Sequence, residues 1–381
     1  MLKRAAAIVG IGQTEYTKNI GRSERVLALE AIRDALRDAG IQPKEVDGLV
    51  RFNMESTPEV EIARNLGIEN LRFFGEIGYG GGGACATVGH AAMAIATGKA
   101  SVVVCWRARI RSGGARPWAR TGARVGADEQ FWAPFGLVRP VDQIAMLARR
   151  YMHEFGATWR DLGAVAIACR KHAERNPRAF MRKPMTLEDY EQARMVSEPL
   201  RLLDCCLETD GALAVVLVSA ERARDSRQRP AYVLGTSQGT GPQHVVMTNY
   251  HAPNFGETPS LYAARDLFEA SGVSPADIDC AQFYDAFSLL VLLSLEEYGF
   301  CPRGEARHFV SGGRLEWPNG ELPVNTSGAS LSEAYLHGYN LIVEGVRQIR
   351  GTSTSQVADA NLCLITSGAG VPTSAMILAR A

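Results

Sequence analysis

Short, nearly unbroken apolar runs recur along the chain: AAIVGIG (6–12), SVVVC (101–105), ALAVVLVS (212–219), PAYVLG (230–235), LCLITSG (362–368) and SAMILA (374–379). A strand with one wet face alternates apolar and polar residues, whereas runs like these suit strands covered by helices on both sides. Between them lie stretches with helical periodicity, among them 141–154, 158–175 and the apolar FSLLVLLSLEEYGF (287–300). The pattern predicts α/β layering.

One internal offset stands out. Residues 31–52, AIRDALRDAGIQPKEVDGLVRF, align with 263–284, AARDLFEASGVSPADIDCAQFY, at a shift of 232, with six identities: Ala31/Ala263, Arg33/Arg265, Asp34/Asp266, Gly40/Gly272, Pro43/Pro275 and Asp47/Asp279. The shared grammar is an amphipathic helix, a terminating Gly, a Pro-containing turn and a strand. Each half also carries a glycine-rich loop, a helix and an apolar strand: GYGGGGACATVGHAAMAIATG (78–98) before SVVVCW, and NTSGASLSEAYLHGYNLIVEGVRQIRG (325–351) before NLCLITSGAG. Two similar halves, 1–222 and 229–381, are expected around a pseudo-twofold axis with a ligand cleft between them. From about 107 to 199 the repeat pattern breaks, which predicts an insertion in the first half. Its six arginines (107, 109, 111, 116, 120, 124) precede the first acid, Asp128, with Trp118 and Trp132 nearby. They read either as a solvated surface or as a loop for an anionic ligand, such as a coenzyme A phosphate, or a partner protein.

Composition narrows the function. The 381 residues carry 41 Lys+Arg against 41 Asp+Glu, which argues against a nucleic-acid protein, since phosphate binding draws on surplus basic charge. The N-terminal apolar run meets Gln13 and Glu15 too early for a signal peptide, and the longest charge-free stretch, Ile77 to Gly98, holds seven glycines among 22 residues, a poor membrane span. The eight cysteines form no CxxC pair, so neither a structural metal nor a disulfide framework is indicated, and reduced thiols in a cytoplasm are expected. Gly10-Ile11-Gly12 follows a strand but has Glu15 where a dinucleotide motif needs its third glycine, so that motif fails.

Three segments resemble the thiolase superfamily. GGACATVGHAAMAIATG looks like its nucleophile loop and following helix, SEPLRLLDCCLETDGALAVVLVS (197–219) resembles the sterol-carrier-protein-like branch, and FYDAF (283–287) stands in place of the NEAF motif. The resemblance implies a five-layered αβαβα thiolase fold with two duplicated halves and an inserted loop domain, assembled as a homodimer. It also exposes departures. Cys85 stands at the nucleophile, but Tyr284 replaces the Asn of NEAF, Tyr335 replaces the histidine of GHPxG in Ala334-Tyr335-Leu336-His337-Gly338, and Thr366-Ser367-Gly368-Ala369-Gly370 leaves no thiol at CxGxG.

Claisen chemistry needs a thiolate and proton carriers near neutral pKa. With those gone, two phenols remain, and phenols donate strongly to a developing oxyanion. Retro-aldol cleavage of a β-hydroxyacyl-CoA asks for such a pair: the hydroxyl proton leaves, the Cα–Cβ bond breaks, and the thioester enolate is held until Cα is reprotonated. No covalent cofactor or metal is called for, and coenzyme A enters as part of the substrate.

Within the superfamily the chain is most similar to the steroid side-chain-cleaving aldolases of bacterial sterol and bile-acid catabolism, through GGACATVGHAAMA, RRYMH (149–153), EPLRLLDCCLETDGA, EEYGFC (296–301), AYLHG and EGVRQIRGTS (344–353). This resemblance implies cleavage of a 17-hydroxy-steroid side-chain CoA ester to a 17-ketosteroid and a short acyl-CoA such as propionyl-CoA, with a separate OB-fold partner of the DUF35 type. The alternatives are a thiolase using Cys85 and a non-catalytic acyl-CoA-binding subunit.

Tyr284 and Tyr335 are thus the catalytic candidates. Cys85 is a packing residue, an acyl-pocket lining or a nucleophile. Asp285 orients the Tyr284 phenol or caps the following helix. His337 tunes Tyr335 or satisfies a loop carbonyl. Gly338, Gly368 and Gly370 suit close approach of main-chain N–H groups to a thioester oxygen. Tyr250 is a candidate contact to the steroid, and Cys205 and Cys206 read as core.

Overall fold

The computed structural model describes residues 3–111, 130–242, 257–368 and 372–381. The first half runs β1 (Ala6–Gln13), α1 (Glu24–Ala39), β2 (Gly48–Phe52), α2 (Glu59–Leu66), β3 (Phe73–Ile77), α3 (Ala84–Ala96) and β4 (Val102–Arg109). Next come α4 (Pro140–Phe155), α5 (Trp159–Arg175), α6 (Leu187–Glu191) and the small hairpin β5 (Met195–Ser197) and β6 (Leu200–Arg201). The sheet resumes with β7 (Gly211–Ser219), followed by α7 (Ala220–Ala223), β8 (Ala231–Gly239), α8 (Pro259–Ser271) and β9 (Cys280–Gln282). The chain ends with α9 (Ser288–Glu297), α10 (Ala306–Phe309), α11 (Tyr339–Arg350), β10 (Leu362–Thr366) and β11 (Thr373–Ala379).

Nine strands share one hydrogen-bonded ladder in the order β3-β2-β4-β7-β1-β8-β11-β10-β9. The two ends mirror each other about the antiparallel β1–β8 junction. On one side β2 pairs in parallel with β3 and β4; on the other β9 pairs in parallel with β10, and a parallel bridge from Ala281 to Val324 stands in for a further strand. Helices α3 and α11 touch strands of both half-sheets, while the main strand contacts of α1 are β1, β4 and β7 and those of α8 are β8 and β11. Outer helix, half-sheet, central helix pair, half-sheet and outer helix make the five layers expected from the sequence.

Alternation along each strand distributes side chains between layers. In β4, Val103 and Cys105 join the large central core, and Val102, Val104 and Trp106 join a second core under α1 and α2. The central helix α3 is built mainly of small residues, six of its 13 being alanine, so two sheets can close on it. Gly10 and Gly12, which mimic a dinucleotide motif, let β1 lie against α1: a Cβ on either would strike main-chain atoms of Ala31 or Ala35.

The repeated segments do the same local work. Helices α1 and α8 start at Ser23 and Thr258, whose hydroxyls accept main-chain N–H bonds, and end at left-handed Gly40 and Gly272. The Asp47 carboxylate accepts from the N–H groups of Ser101 (2.8 Å) and Val102 (2.9 Å) where β4 begins. Asp279 does so for Asn361 (2.7 Å) and Leu362 (2.8 Å) where β10 begins.

The strand expected to stop at Trp106 continues through Arg109, pairing with β7 as far as Gly211. Arg107 and Arg109 are therefore buried sheet residues, at 2% and 4% exposure, and not part of a solvated surface. Arg116, Trp118, Arg120, Arg124 and Asp128 lie outside the described residues. Among those described, no helix is long and apolar enough to cross a membrane.

Candidate active site

The parallel strands β2, β3, β4, β9 and β10 all deliver their C-terminal ends to one region, where the glycine loop 80–83, the start of α3 and segments 283–287, 334–338 and 366–368 meet. Tyr284 follows β9, and its N–H donates to Thr366 Oγ1 at 2.9 Å, the position where the resemblance expects a second cysteine. Tyr335 is held by its own N–H on Thr209 Oγ1 at 3.1 Å. The two phenol oxygens stand 2.7 Å apart, with the rings edge to face. At that distance one hydroxyl donates to the other, and a charge on either is stabilised by its neighbour.

Glycine makes room for the pair. A Cβ on Gly81 would collide with the Tyr284 hydroxyl and ring, and Gly338, at φ 90°, faces Ala84 and Tyr284 at near-contact distance. The N–H of Gly368 donates to the Gly81 carbonyl at 3.1 Å. Its role is therefore to close the glycine loop, and it is not free for the thioester oxygen to which the sequence assigned it. Gly370 and Tyr250 lie outside the described residues.

Asp285 corrects another expectation. Its carboxylate reaches neither the Tyr284 phenol nor the N-terminus of α9; it accepts from Ser330 N–H (2.9 Å) and Leu331 N–H (3.1 Å), fixing the helical turn 329–333 that leads to Tyr335. Fully buried, it supports the loop; burial pushes its carboxyl up to about 6 against the pull of those N–H groups.

Cys85 opens α3, where a helix N-terminus favours a thiolate, but its surroundings are closed. Its N–H donates to Ser367 Oγ (2.9 Å), its thiol donates to the Ile365 carbonyl (3.6 Å), and burial pushes the thiol up to about 12. The thiolase alternative requires a thiolate, and this environment supplies a neutral, hydrogen-bonded thiol. Cys205 and Cys206 are only partly buried, packed against the core edge.

Among the described residues His337 satisfies no loop carbonyl. It adopts φ 52° and lies between two arginines: Arg107 Nε donates to Nδ1 at 3.1 Å, and Arg109 Nη1 stands 2.5 Å from Nε2. Burial, with Arg107 and Arg111 nearby, holds the imidazole well below its ordinary range, so it is neutral. Its ring meets Tyr335 edge-on at 4.9 Å, and the Arg109 guanidinium lies 5.2 Å from the Tyr335 ring centroid. Behind them Arg107 Nη1 donates to Glu55 at 2.6 Å, a buried ion pair in which desolvation still lifts the carboxyl to about 7.

Burial pushes both phenols up, but their neighbours differ. Around Tyr284 the other groups, Tyr335, Cys206 and Asp285, all push the same way. Tyr335 shares the upward push of Cys206 but is drawn back by its hydrogen bond with Tyr284 and by Arg111 and Arg107. Sequence reasoning missed Glu55, Thr209, Gly81 and the buried placement of Arg107 and Arg109. The last had a signal: continuing the β4 alternation past Cys105 puts both arginines on the face that Val103 and Cys105 turn to the central layer.

The comparisons with known proteins agree with this layout. A family model for the thiolase C-terminal domain-like fold matches residues 240–380. The 17-hydroxy-3-oxo-4-pregnene-20-carboxyl-CoA lyase of Mycobacterium tuberculosis is 51% identical over 387 residues, spanning 99% of this chain and 100% of the relative. This chain belongs to the steroid side-chain-cleaving aldolases of the thiolase superfamily. The steroid side-chain-cleaving aldolase of Thermomonospora curvata is likewise 51% identical, across 99% of this chain and 98% of its own length. The solved Ltp2-ChsH2(DUF35) aldolase superposes with a TM-score of 0.95 at 50% identity, covering 100% of this chain and 98% of that one. In this aldolase the family's layers carry a tyrosine pair where the thiolase pattern carries Asn and His.

Proposed function

We propose that this chain is a retro-aldolase that cleaves the CoA thioester of a 17-hydroxy-steroid side chain to a 17-ketosteroid and a short acyl-CoA such as propionyl-CoA. Tyr284 and Tyr335 carry the protons. One phenol oxygen takes the proton of the 17-hydroxyl as it passes its own proton across the hydrogen bond to the second phenol, whose proton goes to Cα; the electron pair of the 17-O–H bond becomes the ketone π-bond as the Cα–Cβ bond breaks, and the electrons of that bond pass through the thioester enolate to the new C–H bond. The acyl-CoA leaves with both phenols protonated as they began. No atom or electron is left over, and each phenol's charge is shared across the hydrogen bond.

The observation that carries this reading is the 2.7 Å contact between the two hydroxyls in a setting where the nearby thiol is neutral. A separate DUF35-type OB-fold chain completes the active enzyme, as the Ltp2-ChsH2(DUF35) pairing supports. A homodimeric core fits the exposed end of the sheet, where β3 is an edge strand with Phe74 at 67% exposure. We assign 1–222 and 229–381 to the two halves.

The test is turnover of the hydroxyacyl-CoA by the chain copurified with its DUF35 partner. Tyr284→Phe and Tyr335→Phe should each lower kcat by about 10²–10⁴. Full activity in both variants removes the assignment, and cleavage of a 3-ketoacyl-CoA dependent on free CoA would favour a thiolase.

A further inference from the structure

Arg109 has a place in the site that neither the motif comparison nor the proposed proton carriers explain. It closes β4 with its side chain buried at 4% exposure, on the same face as Arg107. Arg107 has its carboxylate partner, with Glu55 and the Ala108 carbonyl on one nitrogen and His337 on another. Arg109 touches His337 with Nη1 alone, while its Nη2 is buried without a hydrogen-bond partner among the described residues. Nor does any described carboxylate pair with it. A buried cation lacking a counter-charge is costly, and its guanidinium carbon sits over the Tyr335 ring, 5.2 Å from the centroid.

We propose that Arg109 is a positioning residue for Tyr335: set against the His337 ring, its guanidinium lies over the phenol and stabilises negative charge on the Tyr335 oxygen. The inference rests on the proposed reaction for its purpose but not for its geometry. It holds whether Tyr335 begins the cycle as phenolate or becomes one after giving up its proton. Glu55, Arg107 and His337 form the rigid backing, and the left-handed backbone at His337 turns its ring into the gap between the two arginines. The charged and titratable groups facing Tyr335 are Arg107, Arg109 and Arg111 from β4 and its continuation, Tyr284 from the segment after β9, Cys206 from the segment before β7, and His337 from its own loop. Arg109 is the one of the three arginines whose guanidinium is placed over the ring.

The experiment reads the phenol directly. The complex with its DUF35 partner is made with 3,5-difluorotyrosine, whose ionisation falls in an accessible pH range, and the fluorine resonance of residue 335 is assigned by its loss in Tyr335→Phe. Arg109→Gln should move that ionisation to higher pH by about one unit or more. It should also lower kcat for the hydroxyacyl-CoA more than it raises KM, and shift the pH profile of kcat in the same sense. Arg109→Lys, which keeps the charge but replaces the guanidinium that spans His337 and the ring by a single ammonium, should shift less in the same direction; it serves alone should the Gln variant fail to fold. An unmoved ionisation in a folded variant overturns the proposal, as does a rise in KM alone, which would make Arg109 a contact for the coenzyme A moiety. The NMR titration needs no turnover, so failure of the retro-aldolase reading would show separately, as normal rates in both Tyr→Phe variants.

Discussion

Cys85 shows how environment overrules position. The first turn of α3 offers a modest pull toward thiolate, worth about 0.3–1 kcal/mol for an exposed charge. Complete burial beside the Ile365 carbonyl outweighs it and leaves the thiol protonated across the physiological range. Cys85→Ala should therefore retain kcat within about threefold in a steady-state assay, since removing one buried thiol perturbs packing modestly. Inactivation on that substitution would revive the covalent alternative. Gly81 makes the opposite case, a residue without a side chain on which the site depends. In Gly81→Ala the methyl must displace the Tyr284 hydroxyl from its partner. We expect kcat to fall by at least about tenfold while the thermal midpoint changes little, because proton transfer requires hydrogen-bond reach; an unaltered kcat would mean that the pair tolerates separation.

At the level of elements, the repeated helix, turn and strand amounts to a reusable joint. In both copies a glycine in the left-handed region ends the helix, and an aspartate after the turn receives the first N–H groups of a neighbouring parallel strand. Removing either carboxylate leaves two strand N–H groups short of a partner, at about 1–3 kcal/mol. Asp47→Ala and Asp279→Ala should lower unfolding free energy by similar amounts in urea titration, and the Asp279 variant should also lose activity because β10 carries Thr366 and hence Tyr284. Equal loss of activity in the Asp47 variant would contradict that separation. Asp285 acts at this scale too: by fixing the turn at 329–333 it sets where Tyr335 can stand.

The whole molecule buries several carboxylic acids, and its stability should follow pH accordingly. Burial lifts Glu297 to about 8 and Glu55 and Glu333 to about 7. A carboxyl whose folded pKa lies above its unfolded one binds more protons when folded, so its contribution is complete below the unfolded value near 4.3 and is lost as pH rises through the folded value. His172, lowered to about 4 by burial, works the other way: its contribution is present at neutral pH and is lost as pH falls from about 6.5 to 4. Thermal stability should therefore decline from pH 6.5 to 9. Glu297→Gln, which keeps polar contacts to Thr258, should flatten that decline in a calorimetric pH series; an unchanged slope would mean that Glu297 is ionised in the fold. From the amino-acid order alone came the layering, the duplication, the glycine loops and the two tyrosines, because strand and helix periods and the motif positions are local in the chain. The hydroxyl contact was not local: Tyr284 and Tyr335 are 51 residues apart, and only the meeting of strand ends within one fold sets their separation. The same holds for Arg109 and His337, separated by 228 residues, and for the protonated thiol of Cys85, whose state follows from a carbonyl 280 residues away. Burial and through-space charge are sums over everything nearby, and what is nearby is decided by the tertiary structure.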